Sequence, residues 1–302
     1  MMSSGNFIIK QSNALLENKQ YAVLCAVLFS IMPFASWLSV ALVSLITLRK
    51  GALRGFEILM PALIIHSVPL MMMLPLESVI VNSLIAFIPC YLAAITLRHT
   101  KKWQAVSGIF FLQAFLGFLL VQVLVPDFVV EQFSQFQKIF SQYQDYQSLL
   151  GSSEKLNSFL LAQLFFGIQI LSVIASAILS LAFARSIQAK LFMPGGFKNE
   201  LLEFRSGRLS FLVLMSVSIG TYFEYPLAIN LLPLVLGYFL LSGFSLAYYI
   251  FARKRQFKVV LLLFLIILLK PSFVLFAYIV FGSLDSVFNL RLYLPTRVRG
   301  SI

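Results

Sequence analysis

The sequence predicts an all-α fold, a polytopic transmembrane helical bundle, on three observations. Of its 302 residues 60% are hydrophobic and 11% charged, with a mean hydropathy of +0.93, which leaves too little polar surface to cover a soluble globule of this size. About eight apolar runs approach or exceed the roughly 20 residues that a helix needs to cross a 30 Å hydrocarbon core. The cations behind the formal charge of +12 are gathered in the segments between those runs. In a soluble protein such a charge suggests a nucleic-acid partner; beside apolar runs it marks cytoplasmic loops, and no aromatic-basic platform accompanies it, so nucleic acid is excluded as a partner and the lipid bilayer takes its place. Cys25 and Cys90 both fall inside apolar runs, which argues against a disulfide framework or a thiolate metal site.

Residues 1–20 hold Lys10, Glu17 and Lys19 among polar neighbours and read as a tail that stays in water. Tyr21 to Leu48 has no small-residue cleavage pattern at its end and reads as an uncleaved first span. Its length, roughly 42 Å as one helix, is long for one crossing and short for two, and Pro33 sits near its middle. Two short helices, 21–32 and 36–48, keep the amino terminus cytoplasmic. Basic clusters at Arg49, Lys50 and Arg54, at Arg98, Lys101 and Lys102, in loop 185–208, and at Arg253, Lys254, Arg255 and Lys258 are all cytoplasmic by the positive-inside bias. Between them 56–73 and 79–97 form a hairpin, 103–125 goes out and 159–184 returns, and 209–222 and 227–252 form a second hairpin. The last run, Val259 to Gly282, holds a single charge, Lys270, followed by Pro271. One crossing there would put Arg291, Arg297 and Arg299 outside, so either Pro271 marks a re-entrant break or the tail defies the bias. The total is about eight to ten spans, some short, within a membrane domain 21–292 that is followed by a basic tail 293–302. The simplest address is a bacterial inner membrane.

The one large outer loop is 126–157. Within it Val129, Phe133, Phe136, Phe140 and Tyr143 recur at spacings of four and three with glutamines between, the pattern of an amphipathic helix. Such a helix either lies on the outer membrane surface or packs as a lid over a cavity between spans.

Polar groups inside apolar spans are costly and are the place to look for function. Lys270 lies about 18 Å along a helix from the boundary residue Lys258, near mid-membrane; it either snorkels or pairs with a helix carbonyl freed by Pro271, or it is a substrate-facing cation or a proton-coupled lysine. His66 sits about halfway across its span by the same measure. Gln169, Ser172 and Ser176 fall on one helical face, which either packs against other helices or lines a cavity. Together these five are the ligand-cavity candidates. Glu77 and Glu224 occupy the two outer turns and could face each other across the mouth of the bundle. Arg253, Lys254 and Arg255 offer a surface for a membrane or cytoplasmic protein partner. The motifs of metalloproteases, serine hydrolases, P-loop enzymes and dithiol oxidoreductases are absent, so no enzyme activity, metal or cofactor is expected.

Three stretches, MPGGFKNELLEFRSGRL, LLSGFSLAYY and FGSLDSVFNLR, resemble in that order the landmarks of the YybS-like family of uncharacterised bacterial membrane proteins. The landmark residues are Pro194, Gly195, Gly196 and Phe197, then Gly243, then Gly282, Asp285 and Arg291; Ser242 stands where Gln would be expected before Gly243. That family is similar, in its amino-terminal half, to the substrate-binding S components of energy-coupling-factor transporters. The resemblance implies a ligand cavity opening outward and a coupling partner touching the small residues Ala22 and Ala26. The expectation is therefore a membrane-embedded ligand-binding or transport component for a small molecule; the alternative is a structural or regulatory membrane protein that docks partners on its basic loops.

Overall fold

The structure, a computed structural model, describes residues 4–32, 34–72, 75–140, 158–251 and 256–293. Those residues form thirteen α-helices, a closing 3-10 turn (Leu290–Leu292) and no strand. Six helices are long and apolar enough to span a bilayer, or seven if the bent pair at the amino terminus is one span. The chain is therefore a multi-pass helical membrane protein. The expected eight to ten spans also included shorter apolar helices, and these appear with 13 to 15 residues each.

The amino-terminal segment is not a plain tail. Helix α1 (Ser4–Glu17) is followed by α2 (Lys19–Ile31) across a bend of 116°. Asn18 sets the bend by capping α2, its Oδ1 accepting from the amides of Gln20 and Tyr21 at 2.9 and 3.3 Å. The expected interruption of the first apolar run is present: α2 ends at Ile31, Phe34 takes a left-handed φ of 62°, and α3 (Ser36–Lys50) begins two residues later. Pro33 lies outside the described residues. Gly51, at φ 108°, turns the chain into α4 (Ala52–Met71), a conformation that a side chain would strain. Then come α5 (Leu76–Thr100), α6 (Trp103–Leu124) and the amphipathic α7 (Phe128–Phe140).

Helix α8 (Ser158–Phe192) is about 52 Å long and runs past the end of its apolar run into what the charge pattern assigned to a loop. Nothing breaks it before Met193-Pro194-Gly195, and Arg185 and Gln188 find buried partners along the way. The short α9 (Gly196–Glu203), α10 (Arg208–Tyr222) and α11 (Pro226–Phe251) follow. The last apolar run is divided as proline chemistry requires: α12 (Gln256–Leu269) stops, Lys270 adopts φ −143°, and α13 (Pro271–Phe288) starts with Pro271 in its first turn, where the missing N–H costs nothing.

The chain divides into two compact units, Met1–Phe110 with Ser172–Leu201, and Phe111–Leu171 with Leu202–Ile302, so α6, α8 and α9 each contribute to both. In the first, α3 is the buried centre: every residue from Ser39 to Leu48 is shielded, as expected of a helix covered on all sides. Close packing there depends on small residues. A Cβ on Gly55 would overlap Thr47, Ser39 Oγ donates to the Ala26 carbonyl at 2.7 Å, and Cys90 lies against Ser44 (3.2 Å) and the Ala177 carbonyl (3.3 Å). In the second unit α11 and α13 cross most closely where Gly243 meets the Tyr278 backbone and Gly282 meets that of Phe239; a Cβ at either glycine would overlap the facing carbonyl.

Candidate functional site

Two buried polar arrangements stand out in the second unit. The first joins α8 to α11. Ala162, Gln163, Phe166 and Gly167 form the buried face of this part of α8, and Gly167 has no room for a Cβ because the Asn230 carbonyl occupies that space. At this close approach Asn230 Nδ2 donates to Gln163 Oε1 at 2.8 Å, with both residues shielded and Asn230 fully so. Asn230 Oδ1 has no donor, and the Nε2 atoms of Gln113 and Gln122 on α6 are also buried without an acceptor. Each such atom costs about 1–3 kcal/mol unless water or a ligand supplies the partner. Phe166, one turn from Gln163, meets Phe118 of α6 and Phe128 of α7 edge-on, with centroids 5.5 and 6.1 Å away. Helix α7 buries Val129 and Phe133, and Phe133 and Phe136 meet Phe165. The described part of this amphipathic helix therefore packs its apolar face on α8. Phe140 is its last described residue, and the side chain there, like Tyr143, lies outside the description.

The second arrangement gathers the landmark residues of α11 and α13. Asp285, with no exposed surface, accepts from Arg291 Nε at 3.1 Å and lies 3.9 Å from Arg205 Nε. A carboxylate in the last turn of a helix faces the negative end of the helix dipole, so these cations are what hold it there. Arg205 also caps α13, donating to the carbonyls of Asp285 (2.8 Å) and Ser286 (3.0 Å). Arg291 also donates to the carbonyls of Leu202 and Phe204 and to Ser245 Oγ (3.4 Å), and Ser206 bonds Ser242 (3.0 Å) and the Gly282 carbonyl (3.2 Å). Burial pulls the Arg291 guanidinium below its ordinary value while Asp285 raises it again in part; arginine keeps its proton regardless. This is a clasp that fixes the extended segment 204–207 to the α11–α13 crossing.

The first unit has a corresponding clasp. Glu200 of α9 accepts from Arg185 Nε (3.1 Å), forms an ion pair with its Nη2, and accepts from Trp103 Nε1 (3.0 Å). Gln188 accepts from Arg185 (2.5 Å) and donates to the Leu48 carbonyl (3.3 Å), where Arg98 donates as well (3.0 Å). Of the landmark turn, Gly195 takes φ 85°, Gly196 opens α9, the helix that carries Glu200, and Phe197 packs on Trp103 at 6.2 Å.

Several expected site residues are placed otherwise. Lys270 is exposed, between Leu268 and Leu269 on one side and Phe273 on the other, all strongly exposed, so it does not line an interior cavity. Proline 271 explains this: it ends the preceding helix and leaves the lysine at the break. Ser172 and Ser176 are exposed and Gln169 half-buried, because the buried face of α8 here is Ile174, Ala177, Leu181 and Ala184. Ala22 and Ala26 are fully buried within their own unit, where small residues let α2 approach α3 and α4, and they offer nothing to a partner. His66 is half-buried, 3.3 Å from Ser83 and edge-on to Phe87 at 5.4 Å, which describes a hydrogen-bonded packing residue. Glu224 is exposed in a tight turn at φ 58°. Glu77 lies in the first turn of α5 and its side chain is outside the description; it belongs to a different unit from Glu224. Arg253, Lys254 and Arg255 lie outside the described residues.

Gln163 and Asn230 were missed although both are lone amides in apolar runs. The i, i+3, i+7 stripe points instead to Gln169, whereas Gly167, a residue that permits close helix approach, lies on the buried face with Gln163. Arg185, Glu200 and Arg205 were missed because charge alone assigned them to solvent. No family model matches the chain, and neither does any curated protein or solved structure.

Proposed function

We propose that this multi-pass membrane protein is a ligand-binding or transport component whose recognition groups are Gln163 and Asn230 in the second unit. The observation that carries this reading is the amide pair itself: it is buried among apolar side chains and leaves Asn230 Oδ1 without a donor. A polar group within a membrane span is retained against a desolvation cost, and function is the usual reason. The chemistry favours a small molecule with an N–H or O–H donor for Asn230 and an aromatic or apolar body for Phe118, Phe128 and Phe166. Helix α7, packed on α8 by its aromatic face, serves as the cover. The YybS-like landmarks carried by the sequence are kept as part of this reading, with a bacterial inner-membrane address, and the placement of the basic clusters supports a cytoplasmic amino terminus.

The test is to purify the protein from membranes, denature it and identify released small molecules by mass spectrometry, beside Asn230→Leu. The expected result is a compound released from the wild type and lost from a folded N230L. Release of nothing, together with an N230L protein more stable than the wild type, would mean that the amide is only a packing residue.

A further inference from the structure

A cavity in the first unit lies where the ends of four helices meet: the end of α1, the start of α2, the end of α3 and the start of α4. It measures about 260 Å3, with Leu16, Ile46 and Ile58 among its apolar walls and five charged side chains around it. Glu57 is shared between Lys19 at 2.7 Å and Arg54 at 3.2 Å, one carboxylate between two cations, so this trio keeps one positive charge. The other two, Glu17 and Lys50, form no ion pair among the described residues although they line the same cavity. One unpaired anion and one unpaired cation on a shared rim, above an apolar wall, are complementary to a zwitterion joined to an apolar chain. Both residues stand at helix ends beside apolar runs, where anionic and zwitterionic headgroups are met by helices that enter a bilayer.

We infer that this cavity holds the headgroup of a phospholipid that carries both a phosphate and a primary ammonium. Lys50 takes the phosphate, assisted by Arg54, and Glu17 accepts hydrogen bonds from the ammonium. The acyl chain leaves along the apolar wall. Tyr21 braces the site by donating to Gln11 at 2.9 Å, which ties α1 to α2 across the bend. Fixed in this way, α1 is held by the lipid as well as by the protein. The inference stands on the first unit alone and is independent of the ligand reading for Asn230.

Native mass spectrometry of the detergent-purified protein tests it with three lipids of equal chain length, phosphatidylethanolamine, phosphatidylglycerol and phosphatidylcholine. Charge-assisted hydrogen bonds from an ammonium predict about tenfold tighter binding of phosphatidylethanolamine than of phosphatidylcholine, whose quaternary ammonium cannot donate. Glu17→Gln should remove that preference, and Lys50→Met should weaken all three lipids. Soluble glycerophosphoethanolamine should not displace the lipid at matched concentration. Equal binding of the three lipids by the wild type overturns the inference before any variant is made. A preference that survives Glu17→Gln overturns the assignment of the ammonium, and displacement by the soluble headgroup overturns the lipid as the occupant.

Discussion

Replacing Asp285 by alanine removes the anion from a site that holds two arginines. Asp285 has no exposed surface and the Arg291 side chain is only 10% exposed, so the guanidinium left behind has little access to water. Breaking a buried pair by deleting one partner costs about 3–5 kcal/mol, because the surviving charge is uncompensated. Arg291 would keep its bonds to the carbonyls of Leu202 and Phe204, which places D285A toward the lower end, about 3 kcal/mol or roughly a hundredfold in the unfolding equilibrium. Asp285→Asn keeps the volume and an acceptor for Arg291 Nε and should cost about 1–2 kcal/mol. The double variant D285A/R291M removes both charges and should be less destabilised than the two single variants summed, by about 1–3 kcal/mol. Unfolding in mixed micelles by increasing SDS, followed by tryptophan fluorescence and helical circular dichroism, measures the wild type, D285A, D285N, R291M and D285A/R291M. Additive single and double variants, or a D285A cost below about 1 kcal/mol, would show that the clasp carries no coupling.

The glycines give a sharper contrast. Gly243→Ala and Gly282→Ala each drive a methyl into a facing carbonyl and should cost about 1–3 kcal/mol or more, whereas Gly117→Ala, with open space around its Cβ position, should be neutral or stabilise by up to about 1 kcal/mol in the same unfolding assay. Lys270 is exposed at a helix break, so Lys270→Met should change stability by no more than about 0.5 kcal/mol and leave the small molecule recovered from the wild type in place. Loss of that compound in K270M would return the lysine to the recognition site.

The membrane class, the helical content and several boundaries follow from local properties that a chain carries in one dimension. Apolar runs as long as a bilayer is thick admit no other backbone than one that satisfies itself, and the break at Lys270-Pro271 follows from the missing proline N–H. The 3.6-residue period of Val129 and Phe133 likewise placed α7 before any partner for it was known. Which side of a helix is buried depends on neighbours far away in sequence, and there the tertiary structure decided. Ala22 and Ala26 are small residues in either case, but only the packing of α2 on α3 and α4 makes them interior. Arg185, Glu200, Arg205 and Arg291 look like solvated loop charges until the fold brings each beside its partner. Lys270 and Asp285 show the difference most directly: the charge deepest in an apolar run is exposed, and the one nearest a run's end is fully buried, because proline frees the first while Arg291, six residues on, and Arg205, from a distant segment, shelter the second.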